Sequence, residues 1–413
     1  MWMHPWKYIE GWSICTGLFI TGMVLQLTTG SIEVDMFHYP VNLISGTVFI
    51  LLLLFLHIYA RKVVILQWFS GFEASITASV SLLVLVIIMG LTRQVSSPTD
   101  LSSIGGFART GFMQMTTSWS FFLLFIYFLS ILGLVILRRI NCFRWKDAGF
   151  VLNHVGLFVA LFAAILGSGD LQRLRMTASL DTPEWRATNE KNEITELPLA
   201  IELKSFRIDE YPPKLMILDN VTGKTLPETQ PKSLLVETYP LLSTLLNWEV
   251  AITNYLSEAA ALITEDTVSF VGFQSEGATS ALYVKARNTI DGTIREGWVS
   301  CGSFMFPYRS LRLNDKESLI MPNREPKHFA SNVIVYTQSK KIKKSLIEVN
   351  KPLSIAGWKI YQLNYDESMG KWSRISVFEL VKDPWIPAVY SGILMMLAGA
   401  VYLFVSAPNP KKN

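Results

Sequence analysis

Residues Asp147 to Asp170 read DAGFVLNHVGLFVALFAAILGSGD, an apolar run between two aspartates, interrupted by one imidazole, His154. At about 1.5 Å of rise per residue, a helix over this run crosses a hydrocarbon core of about 30 Å. Upstream, the chain is a series of long hydrophobic segments joined by short loops. Downstream of Gly169 and Asp170 comes a polar stretch of more than 200 residues, closed by one last hydrophobic segment.

Composition agrees with that division. Of 413 residues, 50% are hydrophobic and 17% charged, and mean hydropathy is positive. This is too apolar for an ordinary soluble protein and too polar for a wholly embedded one. Leu171 to Asp383 carries 26 Lys+Arg against 26 Asp+Glu and the remainder 11 against 7, so the net charge of +4 belongs to the membrane part. A neutral polar domain offers no electrostatic footprint for nucleic acid. Cys15, Cys142 and Cys301 fall in a predicted span, a basic loop and the polar domain. No disulfide framework, CxxC redox pair or CxxCH haem-attachment motif is present.

Six segments have the apolar length of a spanning helix, at about 10–29, 41–60, 74–92, 118–137, 148–168 and 385–406. The first is followed by no small-residue cleavage site and reads as a retained anchor. Lys7, Arg61 with Lys62, the cluster Arg138, Arg139, Arg144 and Lys146, and the tail Lys411 and Lys412 fall on one side if every segment spans. That side is then cytoplasmic and the large polar domain lies outside. Trp6, Trp68, Trp119, Trp145 and Trp385 sit at predicted span ends, as interfacial indoles should.

The outer domain reads as mainly β. Leu197 to Leu203 alternates apolar and polar residues, and Ser280 to Ser300 holds two β-prone runs around the hairpin signal Asp291-Gly292. Further strands are expected at Asn332–Thr337, Ser345–Val349, Trp358–Tyr365 and Ile375–Val381. Pro240 to Ile263, Ala-rich and with helical spacing, is the expected exception. One β-sandwich-like domain inserted between the fifth and sixth spans follows.

An imidazole inside a span is costly without a partner, which makes His154 a functional candidate. It lies roughly 10 Å inside Asp147 along the helix, among the bulky residues Phe150, Leu157, Phe158 and Leu161, with Gly156 allowing another surface to approach. A flat macrocycle would find an iron ligand and aromatic walls there; a neutral imidazole bonded to a carbonyl of a neighbouring helix is the simpler reading of the residues alone. His57 lies near the cytoplasmic end of the second span with Arg61 one turn further out, a pair able to hold iron and a propionate, or merely to reach water. The Arg138 and Arg139 cluster is a topology signal and also an attractor for anionic propionates or lipid head groups. His38, His328 and His4 read as surface residues, and the five histidines form no zinc pattern.

The second half of the chain resembles the ResB-like family of cytochrome c biogenesis proteins, the membrane subunit of the system II haem-attachment machinery. Three stretches carry the resemblance: Leu137–Gly167, LRRINCFRWKDAGFVLNHVGLFVALFAAILG; Leu197–Tyr211, LPLAIELKSFRIDEY; and Val349–Phe404, from VNKPLSIAGWKIYQLNYD to VKDPWIPAVYSGILMMLAGAVYLF. It extends over roughly residues 70–405. The first two spans are additional to the family pattern, residues about 240–330 align with nothing, and the tryptophan-rich WGxxWxWD-type loop of the synthetase partner is absent.

The resemblance implies a multi-pass protein of the bacterial cytoplasmic membrane with its large domain periplasmic. Its parts would be residues 1–70 as two extra helices, 71–170 as helices three to five, 171–383 as the mainly-β domain and 384–413 as the last helix and tail. It would be an accessory subunit of a holocytochrome c synthetase complex, working with a separate synthetase partner and apocytochrome c. Haem b, bound transiently at the partner interface, would be ligated by His154 and by a histidine of that partner. Apocytochrome thiols would then add to the haem vinyl groups. The aromatic alternation of Trp358–Tyr365 suits augmentation by an extended peptide, or a sheet core. The competing reading is a membrane-anchored scaffold of another complex without a cofactor.

Overall fold

The computed structural model describes residues 5–60, 62–95, 109–264 and 267–406. Among the described residues seven α-helices occupy its first part and its end: α1 (Tyr8–Thr29), α2 (Val41–Ala60), α3 (Val64–Phe69), α4 (Phe72–Leu91), α5 (Trp119–Asn141), α6 (Ala148–Gly167) and α7 (Ile386–Val405). All but the short α3 are long and apolar enough to cross a membrane, which makes this a multi-pass membrane protein with a mainly-β body following α6. The chain divides into two compact units, one of Met1–Arg173, Glu190–Asn192 and Val381–Asn413, the other of Leu174–Asn189 and Glu193–Leu380.

In the helical unit α5 is central. Half of its most apolar window is buried, against 22% or less for the other five spans, and it packs on α1, α2, α4 and α6. Ser118 starts it by accepting a hydrogen bond from Phe121 N, and Arg138 and Arg139 close its last turn, where cations suit the helix dipole. Close approach elsewhere depends on glycine: a Cβ on Gly22 of α1 would lie 2.4 Å from the Ser120 backbone. Helices α6 and α7 pack the same way through Gly149 and Gly156 on one and Gly392 and Gly399 on the other.

The second unit holds three antiparallel sheets. The largest contains β1 (Gln172–Ser179), β2 (Pro183–Thr188), β3 (Ile194–Glu210), β13 (Pro326–Thr337), β14 (Ile342–Glu348), β15 (Leu353–Ile355), β16 (Trp358–Tyr365) and β17 (Ile375–Lys382), in the order β14-β13-β3-β2-β1-β17-β16-β15. Its two ends meet, β14 touching β15 and β16, so the sheet curls around its own core of Met176, Leu199, Ile201, Val335, Ile360 and Phe378. The second sheet comprises β6 (Leu241–Leu245), β7 (Trp248–Ile263), β8 (Val268–Gly272), β9 (Thr279–Asn288) and β10 (Ile294–Ser300); the third comprises β4 (Lys214–Asp219), β5 (Ser233–Leu235), β11 (Leu311–Arg312) and β12 (Glu317–Ile320). These two share a core around Trp248, Val250, Leu282, Ile217 and Leu319. The single sandwich expected from the strand pattern is thus replaced by a curled sheet and a separate sandwich. Alternation identifies strands, but long-range pairing decides which strands share a sheet.

The hairpin at Asp291-Gly292 is present, β9 pairing β10 from Arg287 with Ile294 to Ala281 with Ser300, and Gly292 supplies the left-handed φ of 75° that the turn needs. The helix expected over Pro240–Ile263 is instead β6 and β7. Trp248, Val250 and Ile252 alternate into the core, and Ala259 to Ala261 pair with Phe270 to Gly272 of β8. Pairing with β8 here, and with β6 and β9 earlier in the strand, outweighs alanine's helix propensity.

Candidate functional site

His154 lies in the first half of α6. Its Nδ1 is 2.9 Å from the Phe150 carbonyl oxygen. A carbonyl only accepts, so Nδ1 carries a proton, and in the neutral ring Nε2 is then the nitrogen whose lone pair a metal would need. The carbonyl-bonded imidazole expected from the residues is therefore present, though the carbonyl belongs to its own helix. The Phe150 ring stacks on the imidazole with centroids 3.8 Å apart and planes 26° apart. Arg139 lies over the same ring, its Cζ 5.5 Å from the centroid. The Arg139 guanidinium is held by the Asp147 carboxylate at 2.6 Å, Asp147 being 8% exposed and Arg139 49%. A cation, an aromatic ring and an imidazole with a directed lone pair thus form one stack at this end of α6.

Gly156 admits another surface, as expected, and that surface is α7. The glycine sits about 200° around the helix from His154, and a Cβ there would lie 2.6 Å from the Gly392 carbonyl oxygen of α7. The Asn153 amide donates to Met396 O on the same face at 3.1 Å. With that face taken by α7, His154 belongs to the opposite one, with Phe150, Phe158 and Phe162.

The other expected ligands are spread. His57 is half-buried on α2, while Arg61 lies outside the described residues, as do His4, Lys411 and Lys412. Arg138 turns towards Ser70, donating to its carbonyl and hydroxyl at 3.3 and 3.2 Å, so only Arg139 of the basic pair joins the Phe150 stack. His38 is exposed, its Nδ1 2.7 Å from Asp35 O. His328 lies on β13, 3.6 Å from a Glu348 carboxylate oxygen and 3.9 Å from one of Asp209. No group of three metal-ligating side chains occurs among the described residues.

The β unit contributes a groove of about 620 Å³ that the sequence reading missed, lined among others by Cys301, Phe306, Arg324, Tyr365 and Trp372. Its walls come from segments far apart in the chain, so no local pattern announces it. Arg324 is paired with Glu210 at 3.2 Å, both 17% exposed, and Thr279 crosses the floor by donating to Gly302 O at 2.8 Å. Strand β16 is no open edge over its first half: it lies between β17 and β15, Leu353–Ile355 pairing with Trp358–Ile360. Its end, at Tyr365, lines the groove.

Three comparisons bear on the chain. The model of the ResB-like family matches residues 285–373, a stretch that includes Cys301, Phe306, Arg324, Tyr365 and Trp372. The chain resembles that family there, and the resemblance includes residues 285–330, which the sequence reading had aligned with nothing. No curated protein matches. Among solved structures, "Cytochrome c Heme Lyase CcmF" is similar with 12% identity and a TM-score of 0.20, over 89% of this chain and 46% of that one. The protein spans less than half of that chain, and a likeness at this score carries no argument about fold or activity.

Proposed function

We propose, from the resemblance to the ResB-like family, that this chain serves cytochrome c biogenesis by holding haem b in the membrane and presenting it, with apocytochrome c, to a separate haem-handling synthetase partner. The observation that carries the haem part of this reading is the position of His154: an imidazole inside an apolar helix, its Nδ1 2.9 Å from Phe150 O, an arrangement that in the neutral ring leaves Nε2 for a metal. Haem is cargo here, and His154 would be one axial ligand of its iron. Arg139, beside Phe150 and already balanced by Asp147, would meet a propionate. Its half-exposed guanidinium retains donors for a second carboxylate.

The groove of the β unit supports a role in holding the extended apocytochrome segment. It is open, mixes aromatic walls with paired charges, and lies mostly within the family match. Positioning is then this chain's contribution, with bond formation in the partner. The basic residues at the α5–α6 turn support a bacterial cytoplasmic membrane location with the β unit on the periplasmic side.

The test is the visible spectrum and haem content of the chain co-purified with its candidate partner, wild type beside His154→Gly. A Soret band lost in the variant, with the complex intact, is the expected result. A colourless wild-type complex would favour the cofactor-free scaffold, in which His154 is satisfied by Phe150 O alone.

A further inference from the structure

Two concavities of the β unit share a wall. The groove of about 620 Å³ and a smaller cleft of about 160 Å³, which Tyr211, Pro212 and Leu235 help to line, both include Asn323 and Arg324 in their linings, so these two residues stand at the junction. The junction is rigid. The Arg324 guanidinium pairs with Glu210 at 3.2 Å and its Nε donates to Tyr211 O at 3.0 Å, while Tyr211 N donates to Glu325 O at 2.9 Å. Pro322 and Pro326 restrict the backbone on either side. Asn323, next to this anchor, is exposed, and among the described residues its carboxamide has no hydrogen-bond partner.

The groove walls are set as firmly. Trp372 Nε1 donates to Ala278 O at 3.1 Å, and the Tyr365 ring packs on Phe206 and Phe329, each with centroids 5.1 Å away. The cations of the two linings are committed: Arg324 to Glu210, Lys371 to Glu258 and Lys214 to Glu325. Among the described residues Glu367 is the lining carboxylate left without a cation, accepting from Asn364 Nδ2 at 3.4 Å. One free carboxylate and no free cation disfavour an anionic ligand such as haem and favour one that carries a basic group.

We infer that the groove and the cleft form one two-pocket channel for an extended polypeptide, whose main chain crosses the junction on the Asn323 carboxamide and whose basic side chain meets Glu367. The inference rests on the reading of the groove as the holder of an extended segment, and states what that segment must carry. A chain molecule is the ligand shape that fills two hollows on either side of one ridge. Alternate side chains of an extended peptide share a face at a spacing of about 6.6 Å, so one enters the aromatic groove while the next but one enters the cleft beside Leu235. The peptide unit between them then lies at Asn323, whose Oδ1 accepts from its N–H and whose Nδ2 donates to its C=O. Because junction and walls are already fixed, little side-chain freedom is lost on binding.

The experiment uses the full-length chain in detergent, as wild type, Asn323→Ala and Glu367→Gln, and measures by fluorescence anisotropy the binding of short labelled peptides. The parent peptides carry Phe and Leu at alternate positions, in either order, with a flanking Lys; further peptides replace Phe and Leu by Ser, replace Lys by Glu, or methylate the main-chain nitrogens between Phe and Leu. A parent peptide should bind most tightly. Asn323→Ala should weaken it roughly tenfold and cause no further loss with the methylated peptide, since both changes remove the same contact. Glu367→Gln should abolish the preference for Lys over Glu. Both substituted side chains are exposed, and unchanged melting temperatures would show the fold intact. Equal binding of the parent peptide by wild type and Asn323→Ala overturns the inference while leaving the groove as a holder of peptides. A wild type that retains haem with its partner yet binds none of the peptides overturns both the inference and the groove's part in the proposed function, and leaves the haem part standing.

Discussion

Asp170 shows how one side chain fixes the end of the helical unit. Its carboxylate accepts from Tyr39 N, Asn42 Nδ2 and Trp385 Nε1, each at 2.7 Å, joining the start of α2, the end of α6 and the start of α7. Burial pushes its pKa up, but donation from Trp385, Tyr39 and Asn42 outweighs this and holds the carboxyl below its ordinary range. The unfolded chain therefore takes up the proton first as pH falls. The stabilisation is complete above the ordinary value of about 3.9 and is lost as pH drops through the folded value. Thermal melts of the purified chain should weaken below about pH 4. Asp170→Ala should cost about 1–3 kcal/mol at neutral pH and remove part of that acid dependence; an unchanged melting profile would count against the clamp. At this scale the sequence showed an apolar run closed by Asp170 with His154 inside it. It did not show which nitrogen of His154 is protonated or what Asp170 holds, because both depend on atoms brought from other turns and helices.

At the scale of elements, the pairing of α6 with α7 depends on the absence of side chains. A Cβ on Gly392 would lie 2.5 Å from Ala160 N and 2.6 Å from Gly156 O, whereas one on Gly90 of α4 meets nothing within 4 Å. Gly392→Val should therefore force the helices apart and destabilise the protein in detergent by about 1–3 kcal/mol, as overpacking does. Gly90→Ala should be neutral or slightly stabilising. Equal melting temperatures for the two variants would refute this account of the contact. The spans themselves were legible to within a few residues, since about 20 apolar residues in succession have one structural solution in a bilayer. Strand β7 was not. Ala259, Ala260 and Ala261 carry a local preference for helix, and only pairing with β8 and β9 makes an extended strand the lower state there.

For the whole molecule, the β unit has its own cores and its own closure. Met176, Ile201 and Phe378 fill the curled sheet while Trp248, Leu282 and Leu319 fill the sandwich. The strands that begin and end the unit, β1 and β17, are neighbours in one sheet. A fragment of residues 174–380 should therefore fold unaided, giving a β-type circular dichroism spectrum and a cooperative melt. A fragment that stays unfolded would show that the helices are needed for the sheets to form. The sequence by itself determined the spans, the polar insert, its β character and the presence of an imidazole within a hydrophobic run, because hydropathy and alternation are local properties of the chain. Only the tertiary structure decided that the insert is two β bodies, that Gly156 serves α7, and that Arg139 and not Arg138 joins the His154 stack. Each of these turns on which distant surfaces pack together, and packing is set by the shapes of both partners at once.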